Sequence, residues 1–137
     1  MKKVDIKDFK TLDFPENIKA IYVIFFVRDN KEIPFYVGET GRFLGRISDY
    51  ISANFKASTD FKIGEAIKYF QEKGLKVIIK YKPAKDRKQE QSEIIKDFQS
   101  FGYRLLNELV GYDYKIADES EERERIKKFC DNILIKI

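Results

Sequence analysis

The chain has 137 residues, 43% apolar and 36% charged, which describes one soluble globular domain and excludes a disordered chain. It has no histidine and a single cysteine, Cys130, which excludes Ser/His and Cys/His nucleophile pairs, most zinc sites and an internal disulfide, and fits a reducing cytoplasm. The net charge of +4 leans only weakly toward a polyanionic partner.

No apolar run approaches the roughly 20 residues of a membrane span. The start, "MKKVDIKDFK", has lysines but no hydrophobic segment behind them, so no signal peptide is expected. Residues 18–27, "IKAIYVIFFV", are β-branched and aromatic throughout and predict a buried central strand. "RDNKEI" then reads as a polar turn, and "PFYVG" as the return strand of a hairpin, with Pro34 at its start.

From Thr40 the spacing becomes helical, with Phe43, Leu44, Ile47 and Ile51 on one face. A second helix is predicted over Asp60 to Lys73, with Ile63, Ala66, Ile67 and Phe70 inward and Gly74 as its stop. "LKVIIKY", residues 75–81, is a third strand that Pro83 ends. "DRKQEQSEIIKDFQSFG" is a third helix closed by Gly102, with Ile94, Ile95 and Phe98 on its buried face. "YRLLNELVGYDYK" is an irregular or short helical connection. The last helix opens on a capping box of Asp118 and Glu121, with Ile126, Phe129, Ile133 and Ile137 as its stripe. "ESEERER" reads as its solvated face, laced by i, i+4 pairs. The order predicts an α/β domain with a small three-stranded sheet flanked by helices.

Several polar residues interrupt these patterns. Arg46 and Tyr50 border the apolar stripe of the first helix, where they are either functional or snorkelling cover. Gln91 falls at the centre of the third helix's inward face. A buried amide needs a partner, because leaving it unpaired costs about 1–3 kcal/mol; the alternative is a helix that begins later, with Gln91 over its rim. Tyr22 and Tyr36 can meet on one face of the hairpin, or be ordinary core aromatics. Lys76, Lys80 and Lys82 share a face of the third strand, with Lys85, Arg87 and Lys88 beyond it. That stretch is either a backbone-tracking surface for nucleic acid or, the favoured reading, a solvated face whose lysines discourage edge pairing.

Together these residues resemble the GIY-YIG nuclease superfamily. "AIY" at 20–22 and "YVG" at 36–38 stand for its two triplets, with "GETG" running on from the second. Arg46 follows Tyr36 at the family's spacing, Tyr50 stands where members carry histidine or tyrosine, and the "LLN" ending at Asn107 matches the closing asparagine. The resemblance covers about residues 18–110, with 118–137 an added C-terminal helix packed on that module. It implies an antiparallel sheet and a metal-dependent endonuclease that hydrolyses phosphodiester bonds, most readily in double-stranded DNA, with one Mg²⁺ or Mn²⁺. It implies that Tyr22 or Tyr36 orients or deprotonates the attacking water, that Arg46 stabilises phosphate charge, and that Tyr50 binds the phosphate or tunes a neighbour. Asn107 completes the catalytic set, and Gly38, Glu39 and Arg42 take substrate contacts. A palindromic target would require a homodimer.

The family's metal-binding glutamate falls in register with Gln91, which is neutral. Three explanations stay open: an inactivated Glu→Gln form, a natural non-catalytic relative that binds nucleic acid, or a chain in which Glu90 takes the metal. An interaction domain with an incidental basic groove is a further alternative.

Overall fold

The computed structural model describes residues 1–6, 18–51, 58–110 and 118–136, the side chains of Ile51 and Ser58 excepted. The Ile51 and Ile137 positions of the predicted stripes, and residues 111–117 of the predicted connection, therefore lie outside the described side chains. In chain order the elements are β1 (Lys2–Asp5), β2 (Ala20–Arg28), β3 (Lys31–Thr40), α1 (Phe43–Ile51), α2 (Ser58–Glu72), β4 (Lys76–Pro83), α3 (Arg87–Ser100), a short 3-10 helix (Leu106–Glu108) and α4 (Glu119–Ile135). No helix is long and apolar enough to cross a membrane among the described residues.

The sheet has four strands in the order β1-β4-β2-β3, every pair antiparallel. The expected three strands are corrected by β1, which pairs with β4 from Lys2 opposite Tyr81 to Asp5 opposite Ile78. Only Val4 of β1 is buried, and the neighbouring Lys3 and Asp5 are held by ion pairs to Glu32 and Lys76. One apolar position in four gives no period-2 signal to read.

β2 lies inside the sheet, between β4 and β3, and is covered on both faces, which is why its sequence is apolar throughout. Ala20, Tyr22, Ile24 and Phe26 enter the larger core cluster, shared with side chains of α1, α2 and α4. Ile21, Val23 and Phe25 enter the smaller one, against Ile94, Ile95 and Phe98 of α3. Those three α3 residues are half-buried, not the fully buried face expected.

The β2–β3 turn places Asp29 and Asn30 at φ 51° and 64°, the paired left-handed geometry of a two-residue hairpin loop. The return strand starts at Lys31, so Pro34 lies within it; β3 is an edge strand, where a missing N–H is tolerated. Ile24 pairs with Tyr36 and Phe25 with Pro34, leaving Phe35 as the extra residue of a β-bulge. The bulge resets the alternation, so the adjacent Phe35 and Tyr36 both enter the larger core.

Gly74 and Gly102, at φ 78° and 89°, stop α2 and α3 as expected, and the Asp118 side chain caps α4 by accepting from the Glu121 N–H. The acidic opening of α4 is less solvated than expected. Glu122 is buried, Arg123 pairs with Glu65 of α2 at 3.3 Å, and the pairs within α4 fall at i, i+3. Lys76, Lys80 and Lys82 are each matched by a carboxylate, Asp5, Glu32 and Glu90 in turn. β1 also covers the flank of β4, so these lysines guard no free edge.

Candidate functional site

Tyr22 and Tyr36, from the hairpin, and Tyr50, from α1, converge under the sheet. The Tyr22 and Tyr50 hydroxyls share a 2.6 Å hydrogen bond, and the Tyr22 and Tyr36 rings lie 6.2 Å apart. Tyr22 stands opposite Gly38 in the β2–β3 ladder. A Cβ at Gly38 would lie 2.1 Å from Tyr22 Cζ, so this glycine admits the tyrosine ring across the strand. The structure thus shows Gly38 in a packing role.

Arg46, one helical turn before Tyr50 on α1, donates its Nε–H to the Tyr50 hydroxyl at 3.0 Å. Its Nη1 lies 2.7 Å from Oδ1 of Asp60, in the first turn of α2. The result is a continuous chain Tyr22–Tyr50–Arg46–Asp60. Asp60 was not among the expected site residues, although it shares a helical face with Ile63 and Ile67. A charged residue on an apolar face is the same signal that drew attention to Gln91.

Burial, and then Tyr50, lifts the Tyr22 phenol well above its usual pKa, against the opposing pull of Arg46. Burial followed by Tyr22 does the same at Tyr36, where Arg46 and a hydrogen bond with Tyr50 oppose it. Tyr50 is raised by burial and Tyr36. Burial disfavours charge on Arg46, but Tyr50, Tyr22 and Asp60 outweigh it and hold the guanidinium firmly protonated. In this arrangement burial and one another hold the three phenols neutral, and Tyr22 and Tyr50 are joined as hydrogen-bonding groups.

Arg46 is the cluster's outlet. Its side chain is 29% exposed, and with Glu39, Thr40, Gly41, Arg42, Asp49 and Arg87 it lines an open cleft of about 360 Å³. Close packing on two glycines places the other two guanidinium groups. A Cβ at Gly45 would meet Arg42 Nη2 at 2.7 Å, and one at Gly41 would meet Arg87 Nη1 at 3.2 Å. Arg87 pairs with Glu39 across the cleft at 3.1 Å. Arg42 makes no ion pair among the described residues, and it joins Arg46 in the cleft.

Gln91 and Asn107 converge elsewhere, on the β3 backbone at Val37. Asn107 accepts the Val37 N–H at 2.9 Å and donates to the Val37 carbonyl at 2.7 Å, while Gln91 Nε2 donates to the same carbonyl at 3.1 Å. Asn107 thus stands in for a neighbouring strand and closes part of an open edge. The hydrogen-bonded, inward reading of Gln91 holds, but neither residue lines the cleft among the described residues. Glu90 is engaged at the start of α3, accepting from the Lys85 and Asp86 N–H groups at 3.0 and 3.1 Å. In the structure Glu90 therefore faces the start of α3, away from the Val37 carbonyl that Gln91 meets.

A divalent cation does not fit this donor set. Position 91 offers a neutral amide tied to β3, Glu90 caps a helix, and Glu39 is matched by Arg87. Among the described residues no three acidic, cysteine or histidine side chains gather as a ligand group. The cleft sets the guanidinium groups of Arg42, Arg46 and Arg87 against the carboxylates of Glu39 and Asp49, a balance that leans toward anion recognition.

Comparison with protein-family models, with curated proteins and with solved structures finds no match to this chain.

Proposed function

We propose that this chain is a nucleic-acid-binding domain of GIY-YIG type that holds a phosphodiester group in the cleft of Arg42, Arg46 and Arg87. The supporting observation is the position of Arg46, anchored inside by Tyr50 and Asp60 and open outside beside two further guanidinium groups. A planar fork held in this way is suited to two phosphate oxygens. Double-stranded DNA is the partner that the nuclease resemblance implies, and the three guanidinium groups of the cleft suit phosphate contacts.

A second reading, metal-dependent endonuclease, is supported by the three tyrosines gathered behind Arg46 in the relation that the nuclease resemblance implies. The neutral amide at position 91 and the burial of all three phenols favour binding over cleavage.

The test is fluorescence anisotropy of a short labelled DNA duplex, alongside plasmid nicking with Mg²⁺ or Mn²⁺. Salt-dependent binding is expected, weakened about 10- to 100-fold by Arg46→Ala, the size of a lost charge-assisted hydrogen bond. Equal binding by the two proteins would remove the cleft from the account. Metal-dependent nicking by the unaltered chain would favour the second reading.

A further inference from the structure

The reading of the cleft leaves unexplained why a buried carboxylate stands behind its central cation. Asp60 is only 7% exposed at its side chain and lies 2.7 Å from Arg46 Nη1. It comes from α2, where the positive end of the helix suits its charge, and reaches across to α1. Taken as a bare charge, a carboxylate at this place opposes anion binding, because it cancels the guanidinium. Taken as a geometric constraint, it does the reverse. The guanidinium has five N–H groups in a fixed plane. Tyr50 takes the Nε–H, while the Asp60 carboxylate meets Nη1 as a 2.7 Å ion pair in which Oδ1 accepts no hydrogen bond among the described residues, so one buried partner holds the guanidinium by direction and the other by charge.

A guanidinium tethered at one point can swivel about its stem, and binding must then include the cost of stopping that motion. Held by both partners, it meets the anion with less motion left to lose, and Arg46 is one of the residues that line the cleft. Resting on the cleft reading above, we propose that Asp60 is a positioning residue, which fixes the Arg46 guanidinium so that its free edge faces an incoming phosphate.

The consequence runs against simple electrostatics. Removing a carboxylate from a polyanion-binding surface ordinarily tightens binding. Here Asp60→Ala is expected to weaken binding of the labelled DNA duplex about tenfold, roughly 1.4 kcal/mol of preorganisation lost with the ion pair. It should also lower the slope of log Kd against log salt by about one phosphate contact. Asp60→Asn, which keeps an oxygen for Nη1, should restore most of the affinity. If Asp60→Ala binds as tightly as the unaltered chain or more tightly, while Arg46→Ala weakens binding, the positioning role is overturned and the cleft stands. If Arg46→Ala has no effect, or the unaltered chain does not bind, the cleft reading fails and this inference falls with it. Circular dichroism checks folding. Should Asp60→Ala not fold, Asp60→Asn decides: affinity at or below that of the unaltered chain supports the role, and a gain overturns it.

Discussion

The side-chain amide of Gln91 donates to the carbonyl oxygen of Val37 at 3.1 Å, tying α3 to the edge strand β3. A carboxylate cannot make that bond without a proton. Position 91 therefore works in this chain as a structural clasp, beside Asn107 on the same peptide group.

Gln91→Glu should exchange that clasp for a repulsive contact. The expected loss is about 0.5–1.5 kcal/mol, the net worth of one hydrogen bond, because the Val37 carbonyl keeps Asn107 as a donor. Thermal unfolding in chelator should show it. On the hydrolytic reading, Mn²⁺ restores part of the stability and metal-dependent cleavage of plasmid rises above that of the unaltered chain. Equal stability in chelator would separate Gln91 from the Val37 edge, and equal, negligible cleavage would sink the hydrolytic reading.

Gly38→Ala should damage the tyrosine cluster from the opposite strand. The added methyl would lie 2.1 Å from Tyr22 Cζ, so the ring must move. Overpacking of this kind costs about 3 kcal/mol. Urea unfolding would report the cost, and near-ultraviolet circular dichroism the displaced rings. A variant with unchanged stability and spectrum would show that the ring has room elsewhere.

Tyr50 joins more partners than Tyr22, so the two should respond unequally to loss of a hydroxyl. Tyr22→Phe removes one bond and leaves Arg46 anchored on Tyr50. Tyr50→Phe breaks the same bond and also strands the Arg46 Nε–H. The second change should be the costlier by about 1–2 kcal/mol. Denaturant unfolding of both single variants and the double variant measures the difference. Equal costs would contradict Tyr50 as the junction.

Alkaline pH should destabilise the protein through the same phenols. A tyrosine in the unfolded chain ionises near pH 10, whereas burial and neighbouring phenols raise Tyr22, Tyr36 and Tyr50 well above that in the folded state. Between the two values the unfolded chain has released its protons and the native state has kept them, so stability falls as pH rises. The contribution is whole below about pH 10 and declines above it, by up to about 1.4 kcal/mol per pH unit for each phenol. Urea unfolding from about pH 8 to about pH 11 should show the decline, with a shallower slope in Tyr50→Phe. A flat profile would contradict the burial.

Much of this architecture was legible in the order of residues. The unbroken apolar run of β2 announced a strand covered on both faces, Gly74 and Gly102 marked helix ends, and Asp118 marked a start. Tyr22, Tyr36, Arg46 and Tyr50 could be named because each broke a pattern that was otherwise apolar. β1 was not legible, since its pairing depends on β4 and on ion pairs from distant residues. Nor was the bulge at Phe35, although it decides which face Tyr36 takes. A one-residue slip is invisible in a stretch that is apolar on both faces. The partnership of Asp60 with Arg46 depends on how α2 packs against α1, which local periodicity does not contain.

The salt dependence of duplex binding, compared across single arginine and lysine variants, tests the cleft most directly. Each of Arg42→Ala, Arg46→Ala and Arg87→Ala should lower the slope of log Kd against log salt by about one contact, while Lys76→Ala and Lys80→Ala, which do not line the cleft, leave it unchanged. Slopes that fall with the β4 lysines and not with the three arginines would contradict the account.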